Sequence, residues 1–202
     1  CEPYITCDDM LIREQAMDVL HGIAILQRIV GAQQVLIGIE DNKPEAITAL
    51  QTALSQSPST DITLRVVPTK YPSGGEKQLI HLLTGIAAPS QGIPPHAGVL
   101  CQNVATCAAV ADAVLHSQPL ISRIVTLTGA GLQQAGNYRV LIGTPLEQLI
   151  AYSGGYRATI NQLILGGPMM GFALPSDQVP ITKGSNCFIA MTEQEMPPSQ
   201  TP

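Results

Sequence analysis

Two adjacent glycines, Gly74 and Gly75, precede a run that is predicted to begin a helix at Glu76. Glycine lets the backbone approach a ligand closely, because it has no Cβ in the way. A helix N-terminus also carries free N–H groups and a partial positive charge that favour an anion. The spacing is not that of a Walker A loop. The pattern suits a phosphate or an isoalloxazine ring, and an ordinary turn before a helix stays open as the alternative.

Side chains with amide and hydroxyl groups lie at another predicted strand-to-helix junction. Gln102, Asn103 and Thr106 follow the apolar run AGVLC, which is predicted to be a strand, and a helix is predicted to begin there. Ligands of open α/β sheets bind at the carboxyl edge of the strands, and amide groups can both donate and accept hydrogen bonds. The alternative is ordinary helix capping by Asn103.

The first nine residues, CEPYITCDD, are acidic. Carboxylates near a parallel sheet commonly accept hydrogen bonds from ribose hydroxyls. Capping of the first predicted helix explains Asp8 and Asp9. It does not explain Glu2, which therefore becomes a candidate ligand for a nucleotide.

Several other functions are excluded or disfavoured. The four histidines are dispersed and none of the five cysteines forms a C-x-x-C pair, so a metal site or a catalytic triad has no support. The net charge of −5 argues against nucleic acid as a partner. No apolar run reaches the ~18 residues that span a bilayer, and the scattered cysteines favour reduced thiols and a cytoplasmic setting. The chain opens on Cys1 without a signal pattern, so we expect a piece of a longer protein.

The elements that must position these residues alternate between helix and strand over residues 1–117. This order predicts an α/β fold, a parallel sheet with crossover helices. The pattern changes near residue 118, where two strands joined by a glycine-rich hairpin, a short helix beginning at Pro145 and a further strand predict a β-grasp module over 118–172. Residues 173–202 are predicted to hold a return strand and a proline-rich linker.

Six motifs occur in order over nearly the whole chain: CEP, YITCDD, KYPSGGEKQLI, QNVAT, GTPLEQLI and LGGPMMG. Together they closely resemble the C subunits of the Rnf complexes, the membrane-associated, ion-translocating electron-transport complexes of bacteria. The chain is more distantly similar to the flavin-bearing, NADH-binding subunit of respiratory complex I. The resemblance implies a Rossmann-like FMN and NADH domain, then a β-grasp module called SLBB, and then a ferredoxin-like iron–sulfur domain beyond residue 202.

The resemblance assigns flavin contacts to the glycine loop. The complex I subunit has a Tyr-x-x-Gly-Glu-Glu loop at the flavin, which Tyr71, Gly74, Gly75 and Glu76 match, with Gly75 in place of the first Glu. Lys77 stands where the relative has Thr. One carboxylate is therefore lost from the loop.

The resemblance also assigns ligand contacts to residues in two other stretches of the chain. Gln102, Asn103 and Thr106 match an Asn-Asn-Val-x-Thr motif that lines the flavin, with one amide residue changed. Glu2 matches the Glu of a Glu-Pro pair, which implies that it faces the nicotinamide nucleotide. The family's glycine-rich flavin loop is expected upstream of Cys1, and the cysteines of its [4Fe–4S] clusters beyond Pro202.

The implied function is electron transport. The full subunit would take a hydride from NADH onto FMN and pass single electrons to [4Fe–4S] clusters, peripherally at the cytoplasmic face of the bacterial inner membrane and with the other Rnf subunits as partners. No residue of this chain needs to be a proton-transfer catalyst, and the chain alone is expected to be inactive. One alternative is an assembly scaffold that docks through SLBB. Another is a soluble, flavin-dependent cobalamin reductase.

Overall fold

The computed structural model describes residues 1–57, 61–89 and 91–196, which form two compact units. The first unit comprises Cys1 and residues 8–119, and the second comprises residues 2–7 and the chain from Leu120 onward. The sequence predicts residues 2–7 in the first domain, whereas they cluster with the second.

The first unit alternates helices with strands, as predicted. Its longest helix is broken at Gln15, which has non-helical backbone angles (φ −135°, ψ 37°). The elements are α1 (Cys7–Val30), β1 (Val35–Glu40), α2 (Pro44–Gln56), β2 (Ile62–Val67), α3 (Glu76–Thr84) and α4 (Val104–Leu115).

β1 and β2 pair in parallel, in register from Val35 opposite Ile62 to Glu40 opposite Val67. Parallel neighbours need a crossover connection, which α2 provides. The predicted Rossmann-like α/β class is confirmed. The apolar residues of β1 pack with α1 and α2 into one core, whose buried members are Ile12, Leu20, Ile37, Ile39, Ala46, Leu50 and Ala53.

The strand predicted just before α4 is wrong. Pro94–Ala97 forms a 3-10 turn, and the residues between this turn and α4 are irregular. The proline at the start of the turn presets its backbone angle. The amide of Val99 then donates to the carbonyl of Pro94 at 3.3 Å, so it is not available to a neighbouring strand. Leu100 of the apolar run is 45% exposed.

α1 and α4 approach each other closely at a glycine. A Cβ added to Gly22 in α1 would overlap the backbone carbonyl of Cys107 in α4. Backbone cannot move aside as a flexible side chain can, so the contact requires glycine.

The second unit contains β3 (Ser122–Thr128), β4 (Gly136–Leu141), α5 (Leu146–Tyr152), β5 (Gln162–Leu165), β6 (Phe172–Leu174) and β7 (Cys187–Met191). The sheet has five strands in the order β4-β3-β7-β5-β6, with β3 and β7 parallel and the other pairs antiparallel. A hairpin, a helix and a central parallel pair make the predicted β-grasp module. The predicted boundary between residues 172 and 173 falls inside β6, and the return strand β7 lies in the middle of this sheet.

The core of the second unit lies between this sheet and α5. Phe188 of β7 and Leu146 of α5 are both fully buried. Alternate residues of β7 belong to two different cores, Phe188 and Ala190 to this one and Cys187, Ile189 and Met191 to another, which explains why every residue of β7 is buried. Of the predicted proline-rich linker, residues 197–202 lie outside the described residues.

Residues 2–7 belong to the second unit because polar side chains tie them to β3 and β4. The amide of Thr6 donates to Oγ1 of Thr126 at 3.1 Å, and Thr126 donates to Oδ1 of Asn137 at 2.8 Å. Thr6 also exchanges hydrogen bonds with Asn137. Thr126 is buried, and a buried hydroxyl needs such partners.

We expect Gly22→Ala to lower the free energy of unfolding by about 1–3 kcal/mol, because the added methyl group meets rigid backbone. Urea unfolding followed by the helical circular dichroism signal measures the change, since α1–α4 belong mainly to the first unit.

The matched control is Gly184→Ala, where the nearest atom to the added Cβ would be Oγ1 of Thr182 at 3.9 Å. An equal effect of both substitutions would contradict the close approach of α1 and α4.

Candidate functional site

The candidate site begins where β1 and β2 end side by side. Glu40 is the last residue of β1 and lies opposite Val67, the last residue of β2. The amide of Asp41 donates to the carbonyl of Val67 at 2.9 Å, which prolongs the pairing past the strand ends. This carboxyl edge is where an open α/β sheet receives ligands.

The glycine loop, residues 71–75, follows β2 and leads into α3. Its amides at Ser73 and Gly75 donate to the carbonyls of Lys70 and Pro72, each at 2.7 Å. Gly75 caps α3 in an extended conformation (φ −67°, ψ 138°) that any residue can adopt. The predicted strand-to-helix context of the loop is therefore correct.

The space beside the glycines is partly filled by the protein itself. A Cβ on Gly74 would lie 3.0 Å from Sγ of Cys1, and a Cβ on Gly75 would lie 2.5 Å from Oε1 of Gln78. Gln78 is an exposed, flexible side chain, so it can rotate away. A flat ring placed against Gly75 requires Gln78 to move, and one placed against Gly74 meets the side chain of Cys1. The carbonyl oxygen of Pro72 also lies 3.2 Å from the Cβ position at Gly75.

The first turn of α3 carries Glu76, which is exposed. Burial and, secondly, the negative charge of Glu76 raise the pKa of the Cys101 thiol. This charge effect relates the start of α3 to the segment before α4, two regions that the sequence predicts to share a ligand. Nζ of Lys77 donates to the carbonyl of Pro89 at 2.8 Å. The side chain of Tyr71 is 38% exposed.

Asn103 has both ends of its amide engaged. Oδ1 accepts from the amide of Ala105 at 2.8 Å, and Nδ2 donates to Oδ2 of Asp8 at 2.7 Å. Helix capping, the alternative open from sequence, is thus confirmed for this residue, and its role at the flavin stays a prediction. Gln102 and Thr106 are exposed at the same junction.

Glu2 engages the second unit. Its Oε2 accepts from the amides of Met169 and Met170 at 2.8 and 3.2 Å. A Cβ on Gly167 would overlap this carboxylate, so glycine is required for the turn to close around it. These contacts explain why a carboxylate stands at position 2. Its role toward nicotinamide stays a prediction.

Sequence reasoning missed two carboxylates at the carboxyl edge. Oε1 of Glu40 accepts from Oγ of Ser73 at 3.2 Å. Oδ1 of Asp41 accepts from Oγ1 and from the amide of Thr69, at 2.6 and 3.0 Å. These hydrogen bonds stabilise the charged form and lower the pKa of Asp41. The signal was present, because Glu40 ends, and Asp41 directly follows, the apolar run QVLIGIE, which is typical of a buried parallel strand.

Residues 1–57, 61–89 and 91–196 contain no cluster of three or more histidine, cysteine or acidic residues placed to bind a metal ion. No helix among them is long and apolar enough to span a membrane.

The sequence was also compared with known families. The model of the Nuo51 FMN-binding domain matches residues 1–112, which is more than half of the 202 residues. The chain belongs to this family. The SLBB domain model matches residues 124–173, which confirms the prediction of an SLBB module.

Individual relatives are named as the C subunits of ion-translocating oxidoreductase complexes. The chain is 52% identical to that of Pseudomonas aeruginosa over 98% of its own length and 54% identical to that of Yersinia pestis over 97%. The predicted resemblance to the Rnf C subunits is confirmed. The chain spans only 25% and 31% of these two relatives.

Solved structures share the fold. One is an NAD+-reducing [NiFe]-hydrogenase in the H2-reduced state, with a TM-score of 0.74 and 18% sequence identity. The match covers 93% of this chain and 38% of the hydrogenase chain. The air-oxidised state matches with a TM-score of 0.75 and 19% identity. At this identity the likeness establishes the architecture of the chain.

Replacement of Glu76 by Gln should make Cys101 more reactive. Removing the negative charge lowers the raised pKa of the thiol, so more thiolate is present at pH 8 and alkylation by iodoacetamide accelerates about twofold. The pH profile of the rate shifts to lower pH. Peptide mapping by mass spectrometry measures each cysteine separately.

The control is Glu45→Gln, which removes a carboxylate from the first turn of α2 instead. Cys107 serves as an internal reference, because burial raises the pKa of its thiol to about 11. An unchanged rate at Cys101 in Glu76→Gln would refute the electrostatic link between α3 and the segment before α4.

Proposed function

We propose that this chain is the flavin- and nucleotide-binding part, with its SLBB module, of an electron-transport subunit. The subunit takes a hydride from NADH onto FMN and passes electrons singly to [4Fe–4S] clusters. The observation that carries the proposal is the glycine loop at the carboxyl edge of a parallel sheet, next to a helix N-terminus, in a chain of the Nuo51 FMN-binding family.

The residues of the first unit hold and orient the flavin. Exposed main chain at Gly74 and the partial positive charge at the start of α3 receive the cofactor. Glu76, Gln102 and Thr106 are exposed and offer hydrogen bonds to the cofactor. Bound FMN supplies the hydride and one-electron chemistry. The same proposal includes the other predicted contacts. FMN is contacted by Tyr71, Gly75, Lys77 and Asn103, and NADH is contacted by Glu2.

The setting of the reaction follows from the relatives. Their name describes a subunit of an ion-translocating oxidoreductase complex, which supports other subunits of such a complex as partners. A peripheral position at the cytoplasmic face of the bacterial inner membrane belongs to the same proposal. So do the [4Fe–4S] clusters, which are predicted outside residues 1–202. A hydrogenase described as NAD+-reducing shares the fold, which supports a nicotinamide nucleotide as the partner in hydride exchange.

Docking through SLBB is the second candidate. Met169 and Met170 lie just before the edge strand β6 and are 52% and 72% exposed. Phe172 lies in that strand and is 62% exposed. Exposed apolar side chains at a sheet edge favour contact with another protein surface. This role is compatible with electron transport and would remain if the flavin site failed. The cobalamin reductase alternative gains no support from the names of the relatives.

FMN binding to the complete gene product tests the proposal, with fluorescence quenching as the measurement. Gly75→Val should weaken binding at least about tenfold, because its volume blocks the ring while its backbone angles remain allowed. Gln78→Ala should bind FMN equally or about twofold more tightly, since no side chain then has to be displaced from Gly75.

Gly184→Val is the matched control, at an open, exposed position of the second unit. Reduction of the bound flavin by NADH would support the hydride step. A complete gene product that binds no FMN would overturn the redox function and leave docking as the candidate.

A further inference from the structure

We propose that Glu40 and Asp41 are positioning residues that hold the glycine loop in the conformation that receives FMN. This inference rests on the proposed function. The two carboxylates follow one another at the carboxyl end of β1, and each holds a different part of the chain that leads to α3.

The contact of Glu40 lies within the loop. Its Oε1 accepts from Oγ of Ser73 at 3.2 Å, and Ser73 directly precedes Gly74. Its side chain is only 15% exposed, so water competes weakly for the hydrogen bond. Oε2 of Glu40 lies 3.3 Å from the main-chain nitrogen of Cys1. The Cys1 side chain in turn covers Gly74, so both carboxylate oxygens face the surroundings of the first glycine.

The contact of Asp41 lies before the loop. A single oxygen, Oδ1, accepts from the hydroxyl and from the amide of Thr69, at 2.6 and 3.0 Å. The amide of Asp41 is itself bound to the carbonyl of Val67 at 2.9 Å. Asp41 therefore connects the end of β1 to the chain just beyond β2, and its charged form makes the stronger acceptor.

The two contacts bracket the chain from residue 69 to residue 73. Glycine gains more conformational freedom than other residues when a loop opens, so a loop with two glycines needs external anchors to keep one shape. Glu40 lies on strand β1, and an anchor on a strand is more rigid than an anchor on another loop. Asp41 directly follows the strand and is held to the end of β2 by its amide. Two main-chain hydrogen bonds, from the amide of Ser73 to the carbonyl of Lys70 and from the amide of Gly75 to the carbonyl of Pro72, complete the turn. A ligand that contacts main chain at Gly74 thus meets a preformed surface.

Hydrogen exchange of the complete gene product without added ligand tests the positioning. In Glu40→Ala and in Ser73→Ala, the amides of Ser73 and Gly75 should exchange about tenfold faster, because the loop opens more often. The double variant should exchange no faster than either single variant, since both remove the same hydrogen bond. Asp41→Ala should accelerate exchange at the amide of Thr69.

Conservative variants separate positioning from general damage. Glu40→Gln and Asp41→Asn keep an acceptor oxygen and should restore slow exchange. Ser55→Ala is the control for loss of a hydroxyl, because its Oγ donates only within α2, to the carbonyl of Thr52. Circular dichroism verifies that each variant is folded.

FMN affinity is the second measurement. Glu40→Ala and Asp41→Ala should weaken FMN binding about tenfold, and Glu40→Gln should retain it. Unchanged exchange in both alanine variants would overturn the inference, whatever happens to FMN. Faster exchange with unchanged FMN affinity would overturn it too. Faster exchange in a protein whose wild type binds no FMN would uphold loop positioning by these carboxylates and overturn the proposed function instead.

Discussion

The parallel, in-register pairing of β1 with β2 is the constraint on which the first unit depends. It brings Glu40 and Val67 to the same edge, so the segments that follow the two strands begin next to each other. The apolar side chains of β1 pack beneath α1 and α2, which keeps the edge fixed. A ligand site built at this edge inherits the rigidity of the sheet, although its contacts come from loops.

The glycine pair has a role in the fold itself, beside the role toward a ligand that we propose for it. Gly75 makes room for Gln78, and Gly74 makes room for Cys1, so the protein's own packing accounts for part of the glycine requirement. The nearest atom in each case belongs to a side chain, which a cofactor can displace, and the carbonyl oxygen of Pro72 lies farther away, 3.2 Å from the Cβ position at Gly75. At Gly22 the contact is with backbone, which it cannot displace. The nature of the neighbouring atoms thus separates a glycine that can face a ligand from one that only permits helix packing.

The second unit shows how short segments distant in sequence complete one sheet. β7 lies between β3 and β5 and is buried throughout, so the sheet lacks its central strand until the chain reaches residue 191. Residues 2–7 join the same unit through Thr6, Thr126 and Asn137. Glu2 belongs to the same segment, and its carboxylate accepts hydrogen bonds from the amides of Met169 and Met170.

The sequence by itself determined the alternation of helices and strands, the β-grasp hairpin and the glycine loop, because periodicity, glycine and proline act locally. It could not exclude a strand before α4, since an apolar run becomes a strand only if a neighbour takes its hydrogen bonds. Tertiary structure alone decided that Asn103 is engaged by Asp8, that Glu2 closes a turn, and that Glu40 and Asp41 hold the loop. Each of these depends on a partner from 28 to 168 residues away, which no local pattern encodes.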